Sequence, residues 1–247
     1  MIARWLTLFM LLALEPLDDA RAQALTADLS DHLVAINTAF TGTELTLFGA
    51  TDGEGDVAVV VEGPRATITV RKKARIAGIW TNTQALRFND VPTFYYAAAT
   101  RQPNNFLRET PRQIHRIGLE NLPLPTEVNQ LDEDTEDAFR EALIGDRQAA
   151  GLYAPQIGNV TFNGSRLFRA DIFFPANVPT GNYTVRVMLV RGGEVVAEVD
   201  TPLTIEKVGV SADVFDFAHQ HSVIFGFAAV LIAAAAGWFA AFMFRKR

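Results

Sequence analysis

The sequence predicts a mainly β chain: an immunoglobulin-like β-sandwich region, single or double, interrupted by a short helical insertion and followed by one C-terminal transmembrane helix. Three observations carry that expectation. From His32 onward, short runs of alternating apolar and polar residues are punctuated by turn residues roughly every 8 to 12 positions, the spacing of a sandwich. Between two such β-rich stretches, Phe139 and Leu143 recur at helical spacing. At the far end, Ser222 to Phe244 is uncharged and almost wholly apolar.

The elements follow in order. Residues 1–24 read as a secretory leader: one positive charge within Met1–Arg4, the apolar run Trp5–Leu14, then Ala22-Gln23-Ala24 as the small-x-small cleavage pattern. Ten apolar residues span only about 15 Å as a helix, and Glu15, Pro16, Asp18 and Asp19 end the run, which argues against a second membrane helix. Residues 25–102 form the first β-lobe, with strands expected in HLVAINTAF, TELTLFGA, DVAVVVEGP, ATITVRKK, RIAGIWTN, ALRF and TFYYAAAT. Trp80 is the candidate central core aromatic, and Gly53-Glu54-Gly55 reads as a hairpin turn.

Residues 103–154 are the helical insertion. Phe106 to Leu119 carries a weak helical pattern through Leu107, Ile114 and Ile117, which Leu122-Pro-Leu-Pro125 breaks. A stronger helix follows, capped by Asp134 or Thr135, with Phe139 and Leu143 as its apolar stripe up to Gly151. Residues 155–208 are the second β-stretch, in which Arg191-Gly192-Gly193-Glu194 is a tight hairpin; Tyr183, Val185 and Val187 are expected to face one way, Thr184, Arg186 and Met188 the other. Residues 209–221 lead to the membrane.

Residues 222–244 are the anchor, roughly 33 Å long as a helix against a hydrocarbon core about 30 Å thick. Arg245, Lys246 and Arg247 favour the cytoplasmic side, so the rest is expected outside, in the periplasm of a bacterial inner (plasma) membrane. Gly226, Ala229, Ala233 to Ala236 and Gly237 offer small side chains for docking another membrane helix.

Charge and composition exclude several function classes. The whole chain carries −6; with the leader's −1 and the tail's three cations set aside, the outer region carries −8. Such acidity argues against nucleic acid. With no cysteine, thiol catalysis and cysteine-based metal sites are excluded, and the outer region must be held by burial alone. No HExxH, GxSxG, Walker or dinucleotide-binding pattern occurs, so neither catalytic residues nor a cofactor are expected. The histidines, His32, His115, His219 and His221, are scattered, and the acidic run Asp132–Asp137 lacks the glycine and distant glutamate of a calcium loop, leaving helix capping as its role.

One feature points to binding. Arg71, Lys72, Lys73 and Arg75 gather four cations within an acidic region, directly before Trp80 and Asn82. These six residues are the candidate contact site for a small oxyanion or an acidic partner surface. The alternative is a solvated basic hairpin edge that resists aggregation.

GIWTN with its preceding basic run, VPTFYYAAATRQP, EDAFREALI, LFRADIFFPANVPTGNYTVRVMLVRGGEVVAE and the terminal helix ending in basic residues occur in an order that resembles an uncharacterised alphaproteobacterial family of transmembrane proteins. Arg75–Pro103 and Arg166–Glu198 carry most of the likeness. The resemblance implies no activity and no catalytic residues, and it suggests genetic proximity to a multi-spanning permease of the sulfite or organosulfonate exporter type. The expected function is therefore a non-enzymatic accessory or sensing partner of a membrane transporter, one exporting sulfur oxyanions. The alternative is a stand-alone periplasmic receptor with a small-molecule pocket lined by Tyr95, Tyr96 and Trp80.

Overall fold

The structure, a computed structural model, describes residues 24–76, 78–127, 132–208, 218 and 221–244. The expected leader (apart from Ala24), the tail 245–247 and the juxtamembrane residues 209–217, 219 and 220 lie outside the described residues.

Seven strands precede the insertion: β1 (Leu25–Leu29), β2 (Leu33–Ile36), β3 (Gly42–Thr51), β4 (Asp56–Glu62), β5 (Arg65–Ile76), β6 (Ile79–Pro92) and β7 (Tyr95–Ala99). The insertion holds α1 (Glu109–Ile114) and α2 (Glu133–Ala149). Four strands follow, β8 (Gly158–Asn163), β9 (Leu167–Pro175), β10 (Gly181–Arg191) and β11 (Glu194–Lys207), and then α3 (Ser222–Phe244).

The chain is mainly β, as expected. Nine strands make one curled sheet in the order β1-β3-β9-β8-β7-β4-β10-β11-β2, so strands from before and after the insertion alternate within it. The two halves meet at β8, which runs parallel to β7 through Ala98 opposite Gly158 and antiparallel to β9. An immunoglobulin sandwich keeps two separate sheets, whereas here a ladder continues from one half to the other.

Alternation explains the core. On β4 and β10, Val57 lies opposite Leu189, Val59 opposite Val187 and Val61 opposite Val185, and all six are buried. This face meets the inward residues Ala170, Ile172 and Phe174 of β9: the Phe174 ring lies 5.9 Å from that of Tyr183 on β10 and 5.0 Å from that of Phe94. Burying each such side chain contributes about 1.5–3 kcal/mol.

The opposite face of the same strands is also covered. Ala58, Val60, Ala97, Ala99 and Met188 are buried, because the insertion lies over them with Phe106, Leu107, Ile117, Leu122, Leu124 and Leu152. This accounts for two departures from simple alternation. Val57–Val61 is an unbroken apolar run because β4 is covered on both sides, and Met188, expected to face away from the core, is fully buried under the insertion.

Local chemistry sets the helix and turns. The cap of α2 is Asp132, not Asp134 or Thr135: its carboxylate accepts from the Thr135 backbone N–H at 3.2 Å and from the Thr135 hydroxyl at 2.9 Å. Phe139 and Leu143 form the buried stripe, as expected. Between β10 and β11, Gly192 (φ 61) and Gly193 (φ 88) both take left-handed conformations, the requirement of a type I′ hairpin turn, so the expected turn is present. Gly53-Glu54-Gly55 is not a hairpin. It joins β3 to β4, which pair with different neighbours in the two halves of the sheet.

Two long strands replace three of the short ones expected. ATITVRKK, RIAGIWTN and ALRF belong to β5, β6 and their connection; the two strands pair with each other up to Ile76 opposite Ile79, where Gly78 has φ 89. Trp80 therefore sits beside a turn, 67% exposed, and is not the core aromatic; Phe94, Tyr95 and Phe174 fill that role.

Candidate functional site

The β5–β6 hairpin is the outer part of a longer ribbon. Glu62 of β4 lies opposite Tyr95 of β7. The Gly63 N–H then donates to the Phe94 carbonyl (2.9 Å) and the Thr93 N–H to the Pro64 carbonyl (2.9 Å), after which Arg65 lies opposite Pro92. Pro64 fits because only its carbonyl takes part in this ladder. Pairing thus runs without a break from inside the sheet into the hairpin, which leaves as an arm about 40 Å long at 3.3 Å per residue.

The inner half of this arm is braced. Ile68 and Val70 lie against α2 beside Leu143, while Phe88 and Leu86 are buried. Residues 125–127 line β6: the Asn89 N–H donates to the Pro125 carbonyl at 2.8 Å, and Arg87 pairs with Glu127 at 3.1 Å. Beyond Arg71 no such support is seen among the described residues, and Arg71, Lys72, Lys73, Arg75, Ile79, Trp80 and Asn82 are all exposed.

Five of the six expected site residues share one face of the arm. Trp80 lies directly opposite Arg75, Asn82 opposite Lys73, and Ala85 opposite Arg71. Residues opposite each other in a ladder project the same way, so Arg71, Lys73, Arg75, Trp80 and Asn82 stand together and Lys72 faces the other side. The extra β6 residue at Thr83, where the register shifts between Lys72 and Lys73, sets this alignment. Among the described residues none of the four cations joins an ion pair; the Arg75 Nε donates to the Gly78 carbonyl at 3.2 Å. The acid that Lys72 influences is Asp132, whose carboxyl is held below the usual carboxylate range first by its hydrogen bond from Thr135 and last by that lysine.

The aromatic pocket expected of a receptor does not form. Tyr95 is buried beneath the insertion, where its hydroxyl donates to the Arg116 carbonyl (2.6 Å), and Tyr96 points to the opposite face of β7 and donates to the Asp171 carbonyl (3.1 Å). Trp80 is far along the arm from both. The reason is alternation: neighbours on a strand cannot line one pocket.

A cleft of about 730 Å³ between the β10–β11 turn and residues 104–108 contains Arg101, Arg108 and Arg191. Each is neutralised by a carboxylate, Asp56, Glu194 and Asp52 respectively, so the cleft offers no spare positive charge. His115 pairs with Glu198 (3.1 Å) and His32 with Asp28 (3.0 Å), apart from each other, and no metal-ligating cluster of three occurs among the described residues. His219 lies outside the described residues.

Sequence reasoning missed the common exit of the arm and the chain's tether. In β10, Gly181 lies opposite Ile205, so the Lys207 end of β11, from which the chain continues toward α3, is at the Gly181 end of the sheet. Glu62 lies opposite Thr184 at that same end, and Pro64 sits so close to Gly181 that a Cβ there would lie 2.9 Å from the proline Cγ. The arm and the tether therefore leave one end of the sheet together. Register is not visible in sequence, although the Gly63-Pro64 pair opposite Thr93-Phe94 marked the place.

α3 is the one helix among the described residues that is long and apolar enough to cross a membrane, over Ser222–Ala241. No curated protein matches this chain. Residues 24–246, which include the sheet, the arm and α3, match the family described as "Putative transmembrane protein (Alph_Pro_TM)", and the chain belongs to that family.

Proposed function

We propose that this chain is a non-enzymatic, single-pass inner-membrane protein whose β-rich body is an accessory or sensing partner of a membrane transporter. The observation that carries the reading is the shared exit of arm and tether: the body carries an exposed cluster of cations with Trp80 on an arm that leaves the sheet at the end where β11 finishes. A module built this way works at the plane of the bilayer, where a multi-spanning permease has its loops. The terminal cations and the leader support a periplasmic body and a cytoplasmic C-terminus. The small side chains of Gly226, Ala229, Ala233 and Gly237 follow one face of α3 and allow close approach of a partner helix. The permease's cargo, a sulfur oxyanion, is suggested by the resemblance noted above.

Gentle detergent extraction of the tagged full chain, followed by mass spectrometry of the complex, tests this. Stoichiometric recovery of one multi-spanning permease, lost when Gly226 and Gly237 are both replaced by Leu, is the expected result. Recovery of the chain alone with a bound small molecule overturns it in favour of a stand-alone receptor.

A further inference from the structure

We propose that the tip of the β5–β6 arm seats on the anionic phospholipid headgroups of the bilayer that holds α3, with Trp80 at the interface and Arg71, Lys73 and Arg75 against the phosphates. The inference rests on the membrane-anchored reading and needs no transporter.

Four features of the arm lead there. First, its direction: it leaves the sheet at the end where β11, the last strand before α3 in the chain, finishes at Lys207. Second, charge: residues 71–85 contain four cations and no acid, while the outer region as a whole carries −8 once the leader and tail are set aside from the chain's −6. An anionic surface attracts the tip and repels the rest, which orients the body. Third, composition: on one face a tryptophan stands among cations, and at the same tip Ile79, 69% exposed, projects from the other face. That pairing of an amphipathic ring, an aliphatic group and long cationic side chains suits the layer where headgroups meet acyl chains. Fourth, an isolated small oxyanion is a poorer match. Lys73 and Arg75 stand on an open ribbon, Arg71 only borders a recess against Asp146 and Arg147 of α2, and among the described residues no buried polar group is aimed at them. A headgroup layer is itself extended and needs no enclosure.

The test uses the full chain in proteoliposomes made either of phosphatidylglycerol with phosphatidylethanolamine or of phosphatidylcholine alone. Lipids brominated near the headgroup end of the acyl chains quench tryptophan at the interface. The Trp80 contribution is the difference between the wild-type chain and Trp80→Phe, which removes the background of Trp5 and Trp238. Either orientation of insertion presents the tip with a leaflet of the same composition, so orientation does not confound the reading.

We expect Trp80 to be quenched in the anionic vesicles, far less in phosphatidylcholine, and progressively less as salt is raised. Each cation removed by Arg71→Ser, Lys73→Ser or Arg75→Ser should weaken the anionic-lipid dependence about fivefold. Arg71→Lys with Arg75→Lys should keep it, since a headgroup surface reads charge and not a planar fork. All three side chains are exposed, so unchanged thermal unfolding is the control for these variants. Equal quenching in both lipids, or none in either, overturns the proposal. A Trp80 response to millimolar sulfate or phosphate in detergent that the lysine variants abolish also overturns it, in favour of a solute oxyanion site. So does quenching that appears only when a permease is co-reconstituted.

Discussion

The hydroxyl of Tyr95 donates to the carbonyl of Arg116 at 2.6 Å and accepts from the Gly118 N–H at 2.9 Å, joining the helical insertion to the outer face of the sheet through one side chain. Arg116 (φ 56) and Gly118 (φ 97) both hold left-handed conformations that the bonds help fix. Tyr95→Phe leaves a part-buried carbonyl and a buried N–H without this partner, at a cost of about 1–3 kcal/mol. Urea unfolding of the full chain in detergent measures it. Tyr96→Phe, whose hydroxyl bond at 3.1 Å is exposed, should cost distinctly less.

Alkaline pH should unfold the body cooperatively. Tyr95, Tyr153 and Tyr183 are each buried and each donates to a backbone carbonyl, of Arg116, Pro92 and Pro179. Burial, the first cause in all three, pushes their phenols well above the ordinary value of 10.0. Since the folded values are raised, the stability these groups contribute is fully present below the unfolded value near pH 10 and is lost as pH rises through it toward the folded values. Phenolate absorbance should therefore appear in one step together with loss of structure. Gradual ionisation near pH 10 in a folded chain would contradict this.

What could be read in the sequence was whatever depended on neighbours in the chain. Phe139 and Leu143, the Gly192-Gly193 turn and the apolar run of α3 each follow from local periodicity or backbone freedom. What could not be read depended on register. Trp80 looked like a core residue because strands and core aromatics go together, yet pairing of Arg75 with Trp80 puts it beside a turn. The same pairing brings Arg71, Lys73, Arg75 and Asn82 onto its face and sends Lys72 away, a division that the order of residues alone does not reveal. Likewise Tyr95 and Tyr96 are adjacent in sequence but separated by the thickness of the sheet.

Glu62 should be a sensitive position at the base of the arm. It is 11% exposed, accepts from Arg116 through both oxygens at 3.2 Å, and pairs with Arg65 at 3.0 Å. Arg65 also bonds Asp90 at 2.8 Å, so the carboxylate ties insertion, sheet and arm together. Glu62→Gln leaves two guanidinium groups partly buried with a weaker partner, and a loss of about 1–3 kcal/mol follows. Measured in a double-mutant cycle with Arg116→Gln, the two positions should couple; strict additivity would show that the bonds carry no stability.

The β10–β11 turn separates two glycines that look equivalent in sequence. In a type I′ turn both central residues need positive φ, and asparagine is accepted at the first. Gly192 (φ 61) has open space where a Cβ would go, so Gly192→Asn should be neutral or mildly stabilising, helped by the smaller freedom of the unfolded chain. Gly193 (φ 88) is different: its Cβ would meet the Arg108 Cγ at 3.1 Å, its carbonyl accepts from the Arg108 N–H at 3.3 Å, and Arg108 pairs with Glu194 at 2.7 Å. Gly193→Ala adds left-handed strain of about 1–2 kcal/mol and displaces Arg108 besides. Thermal unfolding of the two variants should therefore give separate midpoints, the first at or slightly above wild type and the second clearly below it. Equal midpoints would mean that the strand pairing, and not the turn, holds this end of the sheet.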